Sequence, residues 1–254
     1  MKTTTNIAVD IGNSAIKLAL KNAETLHEKS LSLIETDWQL SATQWVTSQN
    51  EEQQLAWQIA SVHPQATETL VDYLRTRSST ADLNLLTWRD IPMELSVDEP
   101  DRLGIDRLIS AYAATLQSAP PLIVVDAGSA ITVDLVAADG RFQGGAILPG
   151  LGMQFASLAK GTANLPMLKS TNRQPQYPAK NTQDAIFSGV LTAATAAIDR
   201  LITRYCTQAG TGSEGVPIVL TGGDAPVLSP HLQHNHERMD NLVCRGILGL
   251  PSSS

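Results

Sequence analysis

Hydrophobic residues in the first half of the chain follow two different periods. Short runs typical of strands lie at 6–10, 15–21, 56–62 and 83–88. Apolar residues spaced three and four apart, typical of amphipathic helices, lie at 38–48, 65–77 and 104–117. The pattern therefore predicts strands alternating with helices.

The second half begins with strands again and then contains longer helices. Strands are predicted at 122–126, 130–137, 142–148 and 216–221, and helices at 150–160, 183–207 and 239–249. The longest helix has the clearest pattern, since Ile186, Val190 and Ala194 fall on one stripe. Residues 161–181 are rich in Pro and Asn without any period, which predicts a long loop.

One short pattern occurs in both halves. Residues 7–17 align without a gap on residues 123–133, and each copy is a β-branched run ending in Asp-x-Gly, followed by a second such run. This order predicts a hairpin with the carboxylate of Asp10 or Asp126 at the tip of its first strand. Glycine lets a ligand approach the turn, whose N–H groups suit phosphate oxygens. We expect the two tips to face each other across a cleft that holds a nucleoside triphosphate and its cation.

The repeat also predicts the fold class. Each half opens with a hairpin, so the sheets are expected to be mixed rather than all parallel. The chain is predicted to be an α/β protein whose two mixed-sheet halves, 1–117 and 118–254, flank a nucleotide cleft. A length of 254 residues accommodates two halves of this size.

Composition narrows the classes of function. Hydrophobic residues make up 43% of the chain, enough for a sizeable core, and the net charge of −7 argues against nucleic acid or an anionic membrane as the main partner. No apolar stretch is expected to approach the ~20 residues that cross a bilayer. Because Met1–Thr5 run straight into the first predicted strand, no signal sequence is expected. Cys206 and Cys244 are expected to be reduced thiols of a cytoplasmic protein.

Familiar nucleotide and metal motifs do not account for this chain. It contains no GxxxxGK[ST] loop, and its GxGxxG match at 210–215 precedes a strand instead of joining a strand to a helix. We interpret that match as a flexible loop. His231, His234 and His236 have no acidic or cysteine partner at ligand spacing, which disfavours a metal site.

Candidate phosphate-binding residues lie in the first hairpin. The segment Asp10–Lys17 offers turn N–H groups, the side chains of Asn13 and Ser14, and an ammonium on the second strand. An ordinary hairpin turn explains the same residues. Recurrence of the motif at Asp126 favours phosphate binding, because a simple turn need not recur in the same form.

Gly104, Ile105, Asp106 and Arg107 open a predicted helix. An Asp in the first turn is often only a partner of the helix dipole, and a neighbouring Arg only its surface ion pair. Together, however, they place a proton acceptor and a guanidinium at a helix N-terminus. That combination suits an alcohol nucleophile and a substrate carboxylate.

Three further segments have both a structural and a functional interpretation. Gly144–Gly150 joins a strand to a helix, and its glycines either allow a close backbone approach or simply form a turn. Residues 180–182 precede the longest helix, where capping alone explains them. Thr221–Asp224 ends a buried strand and either leaves space for a flat base such as adenine or forms a tight turn.

Taken in order, these motifs resemble those of the type III pantothenate kinases, members of the superfamily of duplicated ribonuclease-H-like folds that includes actin and the sugar kinases. The resemblance spans nearly the whole chain, from the Asp10 motif to Thr221–Asp224, and includes Ser61–Pro64 and Ala185–Gly189. It implies ATP-dependent phosphorylation of the primary hydroxyl of pantothenate to 4′-phosphopantothenate, the first step towards coenzyme A.

The resemblance also implies a role for each site residue. The ATP-binding residues would be Asp10, Ile11, Gly12, Asn13, Ser14, Ala15, Ile16, Lys17 and Ser129. The pantothenate-binding residues would be Gly104, Ile105, Asp106, Arg107 and Thr182. Asp106 would be the general base, Asp126 would bind the K⁺ or NH₄⁺ ion that the family requires, and Mg²⁺ would accompany ATP. Thr182 would reach the substrate in a homodimer whose subunits share the site.

The chain departs from the family pattern in two places. Ser14 and Ser129 stand where threonine is usual, but the hydroxyl is kept. Ser96–Glu99 lacks the substrate-contacting Tyr that many relatives carry. Two alternatives are a kinase of another small alcohol and a regulatory relative without catalysis. The first would require a different pocket in place of Asp106, Arg107 and Thr182. The intact Asp10, Asp106 and Asp126 argue against the second.

Overall fold

The structure, a computed structural model, describes residues 4–22, 25–49, 54–77, 82–169, 173–210 and 215–251. The chain divides into two compact units. Unit 1 comprises Met1–Met93, Asp98–Ala113 and Asn241–Ser254, and unit 2 comprises Glu94–Val97 and Ala114–Asp240.

Ten strands and seven α-helices are present in the described residues. The strands are β1 (Thr4–Ile11), β2 (Ala15–Asn22), β3 (Thr25–Ser32), β4 (Gln54–Ser61), β5 (Asp82–Leu85), β6 (Leu122–Ala127), β7 (Ala130–Val136), β8 (Phe142–Pro149), β9 (Ile218–Thr221) and β10 (Glu237–Arg238). The helices are α1 (Trp38–Gln49), α2 (Pro64–Arg77), α3 (Ile105–Thr115), α4 (Leu151–Gly161), α5 (Thr182–Gln208), α6 (Ala225–Leu228) and α7 (Leu242–Leu248).

The sheet of unit 1 has the strand order β3-β2-β1-β4-β5. β1, β2 and β3 pair antiparallel, whereas β4 and β5 continue the sheet in parallel. Alternate residues of β1, such as Ile7 and Val9, pack with α1 and α2 in one hydrophobic core. Helix α7 packs against β1 and β2, and its Gly246 approaches Ile109 and Ala113 of α3. Helix α7 therefore covers β1 and β2 and also packs against α3.

The sheet of unit 2 has the order β10-β9-β6-β7-β8, again with an antiparallel hairpin and parallel neighbours. Ile123, Val125 and Ala127 of β6 share a core with α4 and α5. Because side chains alternate along a strand, Val124 and Asp126 point to the opposite face of this sheet. The predicted α/β class with two mixed sheets is confirmed.

The division into units differs from the predicted boundary at 117 in two ways. The C-terminal segment belongs to unit 1, because α7 packs on β1 and β2. Residues 94–97 belong to unit 2, because Glu94 accepts a hydrogen bond from Phe142 N–H (N···O 2.9 Å) and Ser96 donates one to Phe142 (2.8 Å). Both segments join sheets far from them in sequence.

Most predicted elements are present with boundaries shifted by a few residues, but β3 and the short elements α6 and β10 were missed. The sequence of β3 is mostly polar and charged and shows no alternation, only Leu31 is buried, and the strand pairs at the edge of the sheet. The predicted loop at 161–181 contains no helix or strand after Gly161 among its described residues. Most of the GxGxxG match, residues 211–214, lies outside the described residues.

Helix α5 corrects one expectation. Among the described residues it is the helix with the length and hydropathy of a membrane span, so the prediction that no apolar stretch approaches that length was wrong. However, 56% of its most apolar window is buried within the protein, and its buried side chains pack on the sheet of unit 2. A core helix passes the same test, so this feature is weak support for a membrane span.

Candidate functional site

The tip of the first hairpin is a turn of three residues. Gly12 N–H donates to the Ala15 carbonyl oxygen (3.0 Å), while Asn13 and Ser14 are exposed. A Cβ placed on Gly12 would come no closer than 3.5 Å to a neighbouring atom, and Gly12 does not have a left-handed φ. The fold therefore does not itself require glycine here. Glycine at this position would instead allow a ligand to approach the backbone closely.

Asp10 and Lys17 lie opposite each other in this hairpin. They are register partners in β1 and β2, so their side chains share one face of the sheet. Lys17 Nζ is 4.0 Å from Asp10 Oδ2, and Asp10 is only 7% exposed. The hairpin thus presents an ammonium and a carboxylate directly beside the N–H groups of its turn, an arrangement that suits a phosphate and a cation.

Asp106 lies in the first turn of α3, where its carboxylate folds back on its own helix. Arg107 N–H donates to Asp106 Oδ1 (2.9 Å), and a Cβ on Gly104 would lie 2.6 Å from the same oxygen. Gly104 is therefore explained by the conformation of Asp106. The segment Gly104–Arg107 forms one local arrangement, as the sequence predicts.

The surroundings of Asp106 make it a stronger base than an exposed carboxylate. Burial raises the pKa of Asp106, while the hydrogen bond from Arg107 and the charges of Arg107 and Lys17 act in the opposite direction. The influence of Lys17 means that the first hairpin and the start of α3 are neighbours within unit 1. The structure thus brings together Asp10, Lys17, Asp106 and Arg107, residues that the sequence predicted to be functional.

Helix α7 contributes residues that the sequence analysis did not connect with this site. Cys244 is fully buried and interacts with Asp10, and burial raises the pKa of its thiol well above the ordinary value. A neutral thiol is a small, inert neighbour for the Asp10 carboxylate. Next to it, Arg245 Nε lies 3.6 Å from Glu28 Oε1 of β3. These contacts become visible only in the folded chain, because Cys244 is not part of any recognisable sequence motif.

The second hairpin has a shorter turn than the first. Gly128 N–H donates to Ala130 (3.0 Å), so only Gly128 and Ser129 lie between the strands. In consequence Asp126 pairs with Thr132, whereas Asp10 pairs with Lys17. The ungapped alignment of the repeat is therefore wrong after the turn, since the structural counterpart of Lys17 is Thr132 and not Val133.

Glycines pack closely around this second turn. A Cβ on Gly150 would lie 2.4 Å from the Gly128 carbonyl oxygen, and one on Gly222 would lie 2.4 Å from backbone atoms of Ala127. Gly222 also has a φ of +98°. The tight-turn interpretation of Thr221–Asp224 thus holds at Gly222, where the space is filled by β6. Gly223 borders open space, because a Cβ added there would have no atom within 4 Å.

A row of polar side chains crosses the sheet of unit 2 beside the second turn. Asp126 has Thr132 as its register partner on β7 and Thr221 on β9. Thr132 is 9% exposed and Thr221 2%. The Thr132 hydroxyl has no hydrogen-bond partner although it is buried. Oxygen-rich surroundings of this kind fit a hard cation such as K⁺.

Two of the three clustered histidines, His234 and His236, lie within hydrogen-bond distance of hydroxyl groups. His234 Nε2 lies 3.2 Å from the Thr203 hydroxyl, and His236 Nε2 lies 2.8 Å from the Ser229 hydroxyl. In the part of the chain that the structure describes, no group of three or more His, Cys, Asp or Glu residues is arranged to hold a metal ion. Contacts with hydroxyl groups therefore explain the positions of two of the three imidazole rings.

Thr182 is the first residue of α5 and is exposed. The preceding Asn181 caps the helix, accepting a hydrogen bond from Asp184 N–H (2.9 Å), and Asp184 also holds Arg173 (2.7 Å). Helix α5 packs on the face of the sheet opposite to Asp126. The structure therefore does not place Thr182 in the polar row of its own subunit.

The predicted absence of a substrate-contacting Tyr has a structural counterpart. Residues 94–97 run along β8, and Val97 Cγ1 lies 3.4 Å from where a Cβ of Gly144 would stand. Gly144 has a φ of +77°, so this contact and the turn both favour glycine. A valine side chain here packs on β8 and offers no hydrogen bond.

Two mixed five-stranded sheets, each opening with a hairpin that carries an Asp at its tip, define the class of actin- and sugar-kinase-like proteins. Similar solved structures include a conserved Baf family protein from Campylobacter jejuni (TM-score 0.57, 21% identity, 96% of each chain covered). MreB5 of Spiroplasma citri bound to ADP has a TM-score of 0.52 at 11% identity, covering 96% of this chain and 95% of that one. A propionate kinase from Francisella tularensis has a TM-score of 0.52 at 12% identity, covering 96% and 99%. At these identities the similarity shows the fold alone.

Within this class, the chain belongs to the type III pantothenate kinase family. The sequence profile of that family matches residues 6–204. The chain is 34% identical to a type III pantothenate kinase of Rhodopirellula baltica, over 96% of this chain and 97% of the relative. It is also 42% identical to one of Laribacter hongkongensis, over 61% of this chain and 63% of the relative.

Proposed function

We propose that this protein transfers the γ-phosphoryl group of ATP to the primary hydroxyl of pantothenate, which gives 4′-phosphopantothenate in the first step of coenzyme A biosynthesis. Membership of the family supports the reaction. The observation that carries the chemistry is Asp106, a carboxylate with a raised pKa beside the charges of Arg107 and Lys17. A general base with these neighbours suits the activation of an alcohol.

Each group in unit 1 has a defined task in this proposal. The turn residues Asn13 and Ser14 and the Lys17 ammonium bind phosphate oxygens and hold the transferred group in position. Arg107 binds the substrate carboxylate, and Asp106 accepts the proton of the primary hydroxyl. Mg²⁺ bound with ATP would neutralise phosphate charge, and the Asp10 carboxylate is the oxygen donor of this hairpin that fits such an ion.

Unit 2 contributes a monovalent cation site at Asp126 in this proposal. The buried hydroxyl oxygen of Thr132 on the same sheet face supports a bound K⁺ or NH₄⁺, because these ions prefer oxygen ligands. Ser129 in the adjoining turn would contact ATP. When bound, the cation would supply a positive charge beside the Asp126 carboxylate.

We further propose that the enzyme is a homodimer in the cytoplasm. An apolar groove of about 400 Å³ lies between α4 and α5, and Met153 at its edge is 55% exposed. Exposed apolar surface of this kind suits a second copy of the chain. The position of Thr182, on the helix opposite to the Asp126 row, supports its use by the partner's site. Sedimentation of the purified protein tests this proposal, and a monomer at assay concentration would contradict it.

The reaction itself is tested by ADP release coupled to pantothenate, with and without KCl. We expect pantothenate-dependent turnover in the wild type and a loss of about 10²–10⁴-fold in Asp106→Asn, since an amide accepts no proton. Asp98→Asn, an exposed carboxylate in the segment before α3, is the matched control and should retain turnover. ADP release with another alcohol but not with pantothenate would contradict the substrate. Unchanged turnover in Asp106→Asn would remove that residue from its role.

A further inference from the structure

We propose that Thr132 is a second protein ligand of the monovalent cation at Asp126 and helps to hold that ion. This inference rests on the proposed function, which places the cation at Asp126 and cites Thr132 only as part of the oxygen-rich surroundings of that site. It is drawn from the register of the second hairpin and from the state of the Thr132 hydroxyl.

The register brings the two side chains together. Asp126 and Thr132 are directly opposite in antiparallel strands, so their Cβ atoms are about 4.5–5.5 Å apart on the same face. The neighbouring residues Ile131 and Val133 belong to the hydrophobic core on the other face. An ion held by the Asp126 carboxylate at this face is therefore within reach of the Thr132 oxygen.

The Thr132 hydroxyl has no other explanation in the described structure. Its oxygen is buried without a hydrogen-bond partner, whereas buried hydroxyls are nearly always paired. Thr195, also buried in unit 2, shows the usual situation, because its hydroxyl donates to the Leu191 carbonyl oxygen (2.9 Å). Valine would fill the Thr132 position equally well if only packing mattered. An oxygen kept there at a desolvation cost points to a ligand role.

The first hairpin supports the same conclusion by analogy within the chain. There, the residue opposite Asp10 is Lys17, whose ammonium lies 4.0 Å from the carboxylate. The shorter second turn places Thr132 at the equivalent position. In the first hairpin, the positive charge opposite the Asp is thus a lysine side chain. In the second hairpin a hydroxyl leaves space for an exchangeable ion of the same charge, and NH₄⁺ has the chemistry of the lysine head group.

Thermal unfolding tests this assignment independently of turnover. The melting temperature is measured against KCl concentration at constant ionic strength set with choline chloride, with Mg²⁺ and a non-hydrolysable ATP analogue in every sample. We expect K⁺ to stabilise the wild type, and Thr132→Val to raise the half-saturating KCl concentration by about tenfold or more. Thr132→Ser, which keeps the oxygen, should respond nearly as the wild type does, and so should the buried control Thr195→Val.

A lysine variant adds a second test. Thr132→Lys reproduces in the second hairpin the Asp–Lys pair of the first hairpin. The melting temperature of this variant should no longer depend on KCl. If Thr132→Val and the wild type have the same half-saturating KCl concentration, the inference is overturned. Pantothenate-dependent ADP release by the wild type would still support the kinase assignment in that case. If the wild type releases no ADP with pantothenate, the proposed function fails instead, and the KCl titrations still decide whether Thr132 binds the ion.

Discussion

Gly222→Ala distinguishes a glycine that the fold needs from one that makes room for a ligand. A Cβ at Gly222 would stand 2.4 Å from the carbonyl carbon and oxygen of Ala127, and the residue has a φ of +98°. The clashing atoms are backbone atoms of a central strand, so they have little freedom to move. Gly223, the next residue, has no atom within 4 Å of an added Cβ. The two glycines therefore form a matched pair.

The size of the effect follows from these two contributions. A side chain at positive φ costs about 1–2 kcal/mol. Forcing an extra carbon into a packed region costs about 1–3 kcal/mol. Gly222→Ala should therefore lower the free energy of unfolding by about 2–5 kcal/mol, whereas Gly223→Ala should change it by less than about 0.5 kcal/mol.

Urea denaturation followed by circular dichroism measures both variants. With a slope of about 2–3 kcal/mol per M, the midpoint of Gly222→Ala should fall by about 1–2 M and that of Gly223→Ala should stay near the wild-type value. The KM for ATP is measured on the same samples. If Gly222→Ala unfolds at the wild-type midpoint but has a much higher KM for ATP, the space beside Gly222 belongs to the nucleotide and the packing argument is refuted.

Two predictions concern the charges around Asp106. Because burial raises its pKa, the stabilising contribution of the protonated carboxyl is present at low pH and is lost as the pH rises through the raised pKa. Asp106→Asn should therefore melt above the wild type at pH 8, and this difference should vanish below about pH 4, the range of an ordinary Asp; a variant less stable than the wild type at pH 8 would contradict the pKa direction. Lys17 lowers the pKa of Asp106, so Lys17→Gln should move the acid limb of the kcat/KM profile to higher pH, while Lys17→Arg should keep it in place. An unchanged acid limb in Lys17→Gln would show that this limb reports another group.

Elements with strong local patterns were predictable from the sequence. The hairpins at Asp10 and Asp126, the helix that begins at Ile105 and the long helix after Asn181 follow from β-branched runs, helical spacing and a capping residue. The candidate residues Asp10, Lys17, Asp106 and Arg107 were also identified in this way, since their motifs are short and continuous. The edge strand β3 was not, because its polar sequence depends on pairing with β2 for its conformation.

The tertiary structure decided what depends on residues distant in the chain. Only the strand register shows that Thr132, and not Val133, lies opposite Asp126, because one residue fewer in a turn changes every pair that follows it. Only packing shows that α7 covers β1 and brings Cys244 to Asp10, or that Gly222 is required by Ala127. The sequence by itself determined which segments form strands and helices and which polar residues stand at their ends. Burial, pairing and the resulting shift in the pKa of Asp106 are properties of the neighbours that folding assembles, which local periodicity does not encode.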